Sequence, residues 1–176
     1  MTPDLTTTLC TTCGLCCDGT LFADVELSGP AESTRVEFLG LRIEEDDADR
    51  DLMALPCAAL RGKRCGVYAH RPKCCRTFEC RLLQDARRGT VSVTQASALI
   101  AEALGRVKRA KVLLARLGQR DPELPLAERS AEVFAAGPGV DPKANERRRE
   151  LAATMSALQK LIRKRFLGGD PAPERL

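Results

Sequence analysis

The apolar positions of the C-terminal half recur at steps of three and four residues. The first series is Ala96, Ile100, Ala103, Val107, Ala110, Leu114 and Leu117. Such a heptad seam predicts a helix of about seven turns, ending at Gly118. Between residues 121 and 136 the sequence predicts a shorter helix, beginning near Asp121-Pro122 or at Pro125.

A second apolar stripe predicts another long helix nearer the C-terminus. It consists of Leu151, Met155, Leu158 and Ile162. Asp141 is suited to the N-cap of this helix and Pro142 to its first position, and the helix should end at Gly168-Gly169. The last residues, GDPAPERL, are expected to fray. Two long amphipathic helices on one chain favour packing against each other, and pairing with a protein partner or a second copy through the 94–118 seam is the alternative.

Only short patterned segments occur in the N-terminal half. The alternation in LFADVEL predicts a short strand, and residues 31–39 predict a helix ending near Gly40, followed by a strand at 41–43; a strand across VEFLGLRI is the alternative. EEDDADRD should form an acidic loop, LRGKRC a basic turn and GVY a brief strand. Residues 1–9 are expected to be extended, residues 10–20 to form a loop, and the segment from Pro72 to Gly89 to form one helix.

These elements predict an α+β protein with two parts. Residues 1–91 should form a small, irregular, cysteine-rich module with short strands and a helix. Residues 92–176 should form a mainly α-helical region, a hairpin or a bundle. No apolar stretch is long enough to span a membrane, and the N-terminus lacks the pattern of a secretory signal, so a cytoplasmic location is expected.

Composition adds little until the cysteines are considered. The net charge is only +4 and aromatic residues make up 3 % of the chain. Few aromatic side chains and scattered basic residues disfavour nucleic acid as a partner. All nine cysteines, however, lie within the first 80 residues. In a reducing compartment such a density indicates metal or redox chemistry more than disulfides.

The first cysteine cluster is CTTCGLCC, at residues 10–17. Two sulfurs separated by two residues can converge on one metal from a tight turn, and Gly14 eases the backbone there. Three cysteines at this spacing also resemble the first part of a ferredoxin run that holds a [4Fe–4S] cube. The adjacent fourth cysteine departs from that run, so zinc and an iron–sulfur cluster both remain open.

The second cluster is PCAALRGKRCGVYAHRPKCCRTFEC, in which basic residues surround the sulfurs. Nearby positive charge, particularly at Arg71 and Arg76, is expected to lower the thiol pKa and favour the thiolate. Tyr68 and Phe78 are expected to cover the site and limit access of water.

Taken together, CTTCGLCC, LPC and CGVYAHRPKCCRTFEC resemble the YkgJ-like cysteine-cluster proteins, which are described as zinc- or iron-chelating. The resemblance covers residues 10–80 and implies a set of metal ligands comprising Cys10, Cys13, Cys16, Cys17, Cys57, Cys65, Cys75 and Cys80. Cys74 and His70 fall on variable positions of the pattern, so Cys74 is expected to be extra and His70 to be exposed.

Three functions therefore remain in competition. The first is metal binding through about eight thiolates, with zinc or an iron–sulfur cluster. The second is a redox protein or enzyme component that uses a [4Fe–4S] centre, and the weakest is a zinc-stabilised module that binds a nucleic acid or a protein. A flagellin lysine methylase carries a similar cluster, but this chain has no Gly-rich stretch suited to a methyl donor. The sequence thus leaves enzymatic activity open and identifies no catalytic residue.

Overall fold

The protein is described by a computed structural model that covers residues 4–46 and 48–169. The tail that was expected to fray lies outside the described residues, apart from Gly169. Within the described ranges, no helix is both long and apolar enough to cross a lipid bilayer.

The N-terminal part consists of short elements joined by turns. They are α1 (Leu5–Cys13), β1 (Asp24–Glu26), α2 (Pro30–Phe38), β2 (Ile43–Glu45), β3 (Asp51–Ala54), β4 (Leu60–Arg61), β5 (Arg64–Cys65), a 3₁₀ turn (Tyr68–His70), α3 (Lys73–Thr77) and α4 (Arg81–Arg87). β3 is the centre of an antiparallel sheet of order β1-β3-β2, in which Val25 and Ile43 both face Met53. β4 and β5 form a separate hairpin.

Three helices form the C-terminal part. They are α5 (Val93–Arg116), α6 (Leu126–Ala135) and α7 (Pro142–Ile162), and a π-helical segment (Arg163–Leu167) follows α7. Pro125 precedes α6, and Asp141 caps α7 by accepting a hydrogen bond from the Lys143 amide at 2.9 Å. These bounds confirm the predicted helices, and together with the strands they confirm the α+β class.

Among the described residues, the buried apolar side chains form two clusters. The helical core joins α5, α6 and α7 with Leu9, Leu15, Leu82 and Leu83. The sheet core contains Phe22, Val25, Leu27, Val36, Leu41, Met53, Leu55 and Ala59. Residues from both sides of position 91 therefore share the helical core, and the division of the chain at that position stays a prediction.

Both predicted apolar stripes face the inside of the molecule. The residues of the heptad seam from Ala96 to Leu114, and all four residues of the second stripe, are buried. Helix α5 packs along α7, and α1 packs against α5 and α4. The expected packing within the chain is thereby confirmed, while pairing with a partner or a second copy through residues 94–118 stays a prediction.

One expectation that proved wrong concerns residues 5–13, which form a helix and not an extended segment that leads into a loop at residue 10. The Asp4 side chain accepts from the Thr7 amide at 3.3 Å and caps α1. Leu9 is buried in the helical core, so tertiary packing supports a threonine-rich helix of weak intrinsic propensity.

The segment from Pro72 to Gly89 also differs from its prediction, because it forms two helices and not one. The backbone is extended at Phe78 and Cys80, between α3 and α4. Phe78 packs edge-to-face on Phe22 with the ring centroids 5.2 Å apart, so this side chain joins the sheet core. Packing of the partly buried Phe78 side chain against that core is the physical reason for the interruption.

Smaller corrections apply to the strands. The segment GVY is not a strand, since residues 68–70 form a 3₁₀ turn. The strand expected at 41–43 lies at Ile43–Glu45 and pairs with β3. Glu44, Glu45 and Asp51 are consequently part of the sheet, and the acidic loop is shorter than predicted.

Candidate metal centre

Helix α1 and the turn after it position the first four cysteines. Cys10 and Cys13 are three residues apart on α1, which places them on neighbouring positions of one helix face. Gly14 ends the helix at a φ of 76°, a left-handed conformation that favours glycine. Cys16 and Cys17 lie in the following turn, where the Cys17 amide donates to the Gly14 carbonyl at 3.0 Å.

Gly14 also brings the end of α1 close to the β4–β5 hairpin. A Cβ atom at Gly14 would lie 3.4 Å from the Cα atom of Lys63, in the turn of that hairpin. A side chain at position 14 would therefore be strained by the left-handed backbone conformation, whereas its Cβ atom would make an ordinary van der Waals contact with the hairpin. The backbone conformation is thus the reason that glycine suits this position, and the end of α1 lies in contact with the hairpin.

The second cluster is connected to the first by a backbone hydrogen bond. The Cys57 amide donates to the Cys17 carbonyl at 2.8 Å. Cys65 lies on β5, Cys75 on α3, and Cys80 at the N-cap of α4. The eight predicted ligands consequently come from six pieces of backbone that the fold brings together.

All nine cysteines line one cavity of about 560 Å³. The remaining wall is largely apolar and includes Leu9, Phe22, Met53, Leu55, Phe78, Leu82, Leu83, Ile100 and Phe166. His70 is exposed, as predicted. Cys74 lines the same cavity as the eight predicted ligands, although the sequence pattern placed it outside the ligand set.

The thiols surround the cavity without closing on one point. Across residues 4–46 and 48–169, no three Cys, His, Asp or Glu side chains are arranged to hold a single ion. All nine cysteines are free thiols. Thiolates are the ligands that zinc and iron–sulfur clusters prefer, so the chemistry of the donor set fits these metals.

Burial dominates the acid–base behaviour of the thiols. It raises the pKa of Cys10 to about 11, and the pKa values of Cys13 and Cys17 to about 12. Burial likewise raises the pKa values of Cys16, Cys57 and Cys80. The cause is that an apolar surrounding disfavours the charged thiolate.

Arg71 lowers the thiol pKa as expected, but burial raises the pKa by more. Arg71 lowers the pKa values of Cys10 and Cys17, and burial overcomes it in both cases. The prediction of a net lowering of thiol pKa is therefore wrong for these cysteines. A metal that binds them must displace protons, and metal binding supplies the free energy that deprotonates them.

Cys74 and Cys75 behave as an interacting pair on α3. The hydrogen bond between their side chains lowers the pKa of Cys74 and, together with burial, raises that of Cys75. Cys74 is thus the thiol of this pair that ionises more readily.

Arg71 is held at the edge of the cavity by three contacts. Its guanidinium carbon lies 3.7 Å from the centroid of the Tyr68 ring. Its Nε donates to the Tyr68 carbonyl at 3.1 Å and its Nη1 to the Cys75 carbonyl at 3.4 Å. Arg71 therefore supplies positive charge beside the thiols and also orders the 3₁₀ turn. Tyr68 and Phe78 both line the cavity, as expected of covering residues.

Two lining residues come from the C-terminal helical region. Ile100 of α5 and Phe166 after α7 are buried and reach the cavity. Ile100 was visible in the sequence as part of the heptad seam. Phe166 carried no signal other than its apolar character, because it follows three charged residues and lies beyond Ile162, the last residue of the predicted apolar stripe.

Comparison with known proteins agrees with this site. A family model described as "CxxCxxCC: Putative zinc- or iron-chelating domain" matches residues 9–97. The chain belongs to the CxxCxxCC family. The matched range contains every cysteine and more than half of the chain, and the family description supports metal binding in general terms. No curated protein and no solved structure matches the chain.

Proposed function

We propose that this member of the CxxCxxCC family binds zinc or an iron–sulfur cluster through eight cysteine thiolates. The proposed ligands are Cys10, Cys13, Cys16, Cys17, Cys57, Cys65, Cys75 and Cys80. The observation that carries the proposal is that all nine cysteines, from separate elements, line a single cavity. Free thiols at this density stay reduced in the cytosol, so we also propose a cytoplasmic location.

Packing alone is a poor explanation for this arrangement. Cysteines that serve as small apolar residues normally fill space, because protein interiors are close-packed. Here they border about 560 Å³ of open volume. A metal ion or cluster that bonds to sulfur would fill this volume and offset the free-energy cost of deprotonating the buried thiols.

The surrounding residues would shield the bound metal from water and compensate part of the charge of its thiolate ligands. The apolar wall limits access of water, and Phe78 is fixed there by its contact with Phe22. Arg71 places a cation near Cys10 and Cys17, which favours their thiolate forms and offsets part of the negative charge of a multi-thiolate site.

A second candidate is a redox protein or enzyme component with a [4Fe–4S] centre. It is favoured by two observations: the Cys-x2-Cys-x2-Cys run, and a cavity whose thiols do not converge on a single ion. A bound iron–sulfur cluster would supply electron transfer. The cysteines would hold the cluster, and the apolar wall would keep water from its sulfurs.

Anaerobic purification followed by elemental analysis and visible absorption tests this proposal. We expect stoichiometric zinc in a colourless protein, or iron and sulfide in a brown one. His70→Ala is the matched control and should keep the full metal content, because His70 is exposed. The Cys13→Ala/Cys17→Ala variant should lose metal. A wild-type protein with neither metal, or a double variant that binds as much as wild type, would contradict the proposal.

A further inference from the structure

We propose that the eight ligands are divided into two separate four-thiolate centres, an inference that rests on the proposed function. The helix-side set consists of Cys10, Cys13, Cys16 and Cys80. The sheet-side set consists of Cys17, Cys57, Cys65 and Cys75. The boundary between the sets falls between Cys16 and Cys17, so the CTTCGLCC run would supply ligands to both centres.

The helix-side set is assembled by α1 and α4. Cys10 and Cys13 lie on one face of α1, which packs against α4. Cys80 is the N-cap residue of α4, at the end of the extended segment that interrupts the two helices. Cys13 and Cys80 both pack against the helical core. Two ligands distant in sequence therefore share one side of the cavity.

The sheet-side set is assembled around the β4–β5 hairpin. The Leu60 amide donates to the Cys57 carbonyl at 2.9 Å, and Leu60 is paired with Cys65 across the hairpin. The Cys57 amide donates to the Cys17 carbonyl at 2.8 Å, which fixes Cys17 beside the start of the same hairpin. Cys57 and Cys75 both pack against the sheet core, whereas Cys13 and Cys80 pack against the helical core.

Cys16 completes the helix-side set. The Cys17 carbonyl accepts from the Cys57 amide at 2.8 Å, so Cys17 is fixed beside the sheet-side ligands. Cys10, Cys13 and Cys80 supply three thiolates on the helix side, and Cys16 is the remaining ligand that gives this centre its fourth.

The number of ligands also favours two centres. Four thiolates complete the coordination of one zinc ion or one [4Fe–4S] cube, and eight exceed the need of either. Two centres would use all eight ligands and leave Cys74 as the ninth, unshared thiol. Cys74 packs against the sheet core next to Cys75, so it provides a closely matched control for that ligand.

The test counts zinc ions bound to the full-length chain, with Zn²⁺ as the probe and native mass spectrometry under anaerobic conditions. We expect two zinc ions in wild type and in Cys74→Ser. Cys10→Ser/Cys80→Ser, a pair within one set, should keep one ion. Cys75→Ser/Cys80→Ser, a pair across the sets, should keep none. Equal zinc counts in the two double variants, a count other than two in zinc-binding wild type, or a zinc ion lost in Cys74→Ser would overturn the division.

A second measurement uses only the wild-type protein, so it does not depend on whether the variants fold. Zinc is removed stepwise with a chelator, and the exposed thiols are alkylated and identified by peptide mass spectrometry. The four thiols of one set should become reactive together, before those of the other set. Simultaneous exposure of all eight, or a mixed first group, would overturn the division while leaving metal binding intact. A wild-type protein that binds no zinc and no iron would instead contradict the proposed function itself.

Discussion

Metal loading at alkaline pH should release many more protons from this protein than from exposed cysteines. Each thiolate ligand must lose its proton before or as it binds metal. The number released therefore depends on how many ligands are still protonated at the pH of the experiment. Burial raises the pKa of Cys10 to about 11, and the pKa values of Cys13 and Cys17 to about 12, from an ordinary value of 9.0.

The number of protons released by buried and by exposed thiols differs most at a pH between the ordinary and the raised pKa values. At about pH 9.5, a thiol with a pKa of about 9 is roughly 25 % protonated, whereas one with a pKa of about 11 or more is at least about 95 % protonated. Four exposed thiolate ligands would then release about one proton per metal ion. Four ligands buried like Cys13 and Cys17 would release about four.

A titration in weakly buffered solution measures this number directly. Zinc is added to an excess of metal-free protein at about pH 9.5, and released protons are counted with a pH-stat; the urea-unfolded chain is the control. We expect about one proton per zinc ion for the unfolded chain. The folded protein should release more, and the number should approach four where all the ligands are buried like Cys13. The same low value for both would refute the claim that burial keeps the ligand thiols protonated.

The remaining predictions concern stability, measured by chemical denaturation. Gly19→Ala should lower the free energy of unfolding by at least ~1 kcal/mol, because φ is +74° and the added Cβ would lie 3.1 Å from the Pro125 Cα atom. Gly105→Ala, within α5 and facing open space, should raise the free energy of unfolding by up to ~1 kcal/mol. Equal effects of the two glycine substitutions would contradict both predictions. Leu158→Ala in the helical core should lower the free energy of unfolding by ~2–5 kcal/mol. Val140→Ala, at a fully exposed position, should lower it by less than ~0.5 kcal/mol. Similar losses in the two variants would contradict the assigned core.

The long helices were predictable because their signals extend over many residues. The seam from Ala96 to Leu114 repeats over more than four turns, and a stripe of that length has few alternative explanations. Asp141-Pro142 similarly marks the start of α7 by local chemistry alone. These features depend on residues close in sequence.

The elements that position the ligands depended instead on tertiary contacts. Helix α1 was missed because LTTTLCTTC is poor in helix-favouring residues, and the burial of Leu9 that supports it involves distant helices. The extended segment before Cys80 was missed because it lacks Gly and Pro; Phe78 creates it by packing on Phe22. The motif therefore pointed to eight cysteines that line the cavity, but it set apart Cys74, which lines the cavity as well. It did not show how the chain brings these residues together.

The central claim is that the thiolates of eight cysteines bind metal, and counting reactive thiols in the native protein tests it most directly. Anaerobically purified, metal-loaded protein would be treated with a thiol reagent before and after metal removal by a chelator. We predict one reactive cysteine, Cys74, before removal, and all nine cysteines afterwards. Nine reactive cysteines in the metal-loaded protein would contradict the account.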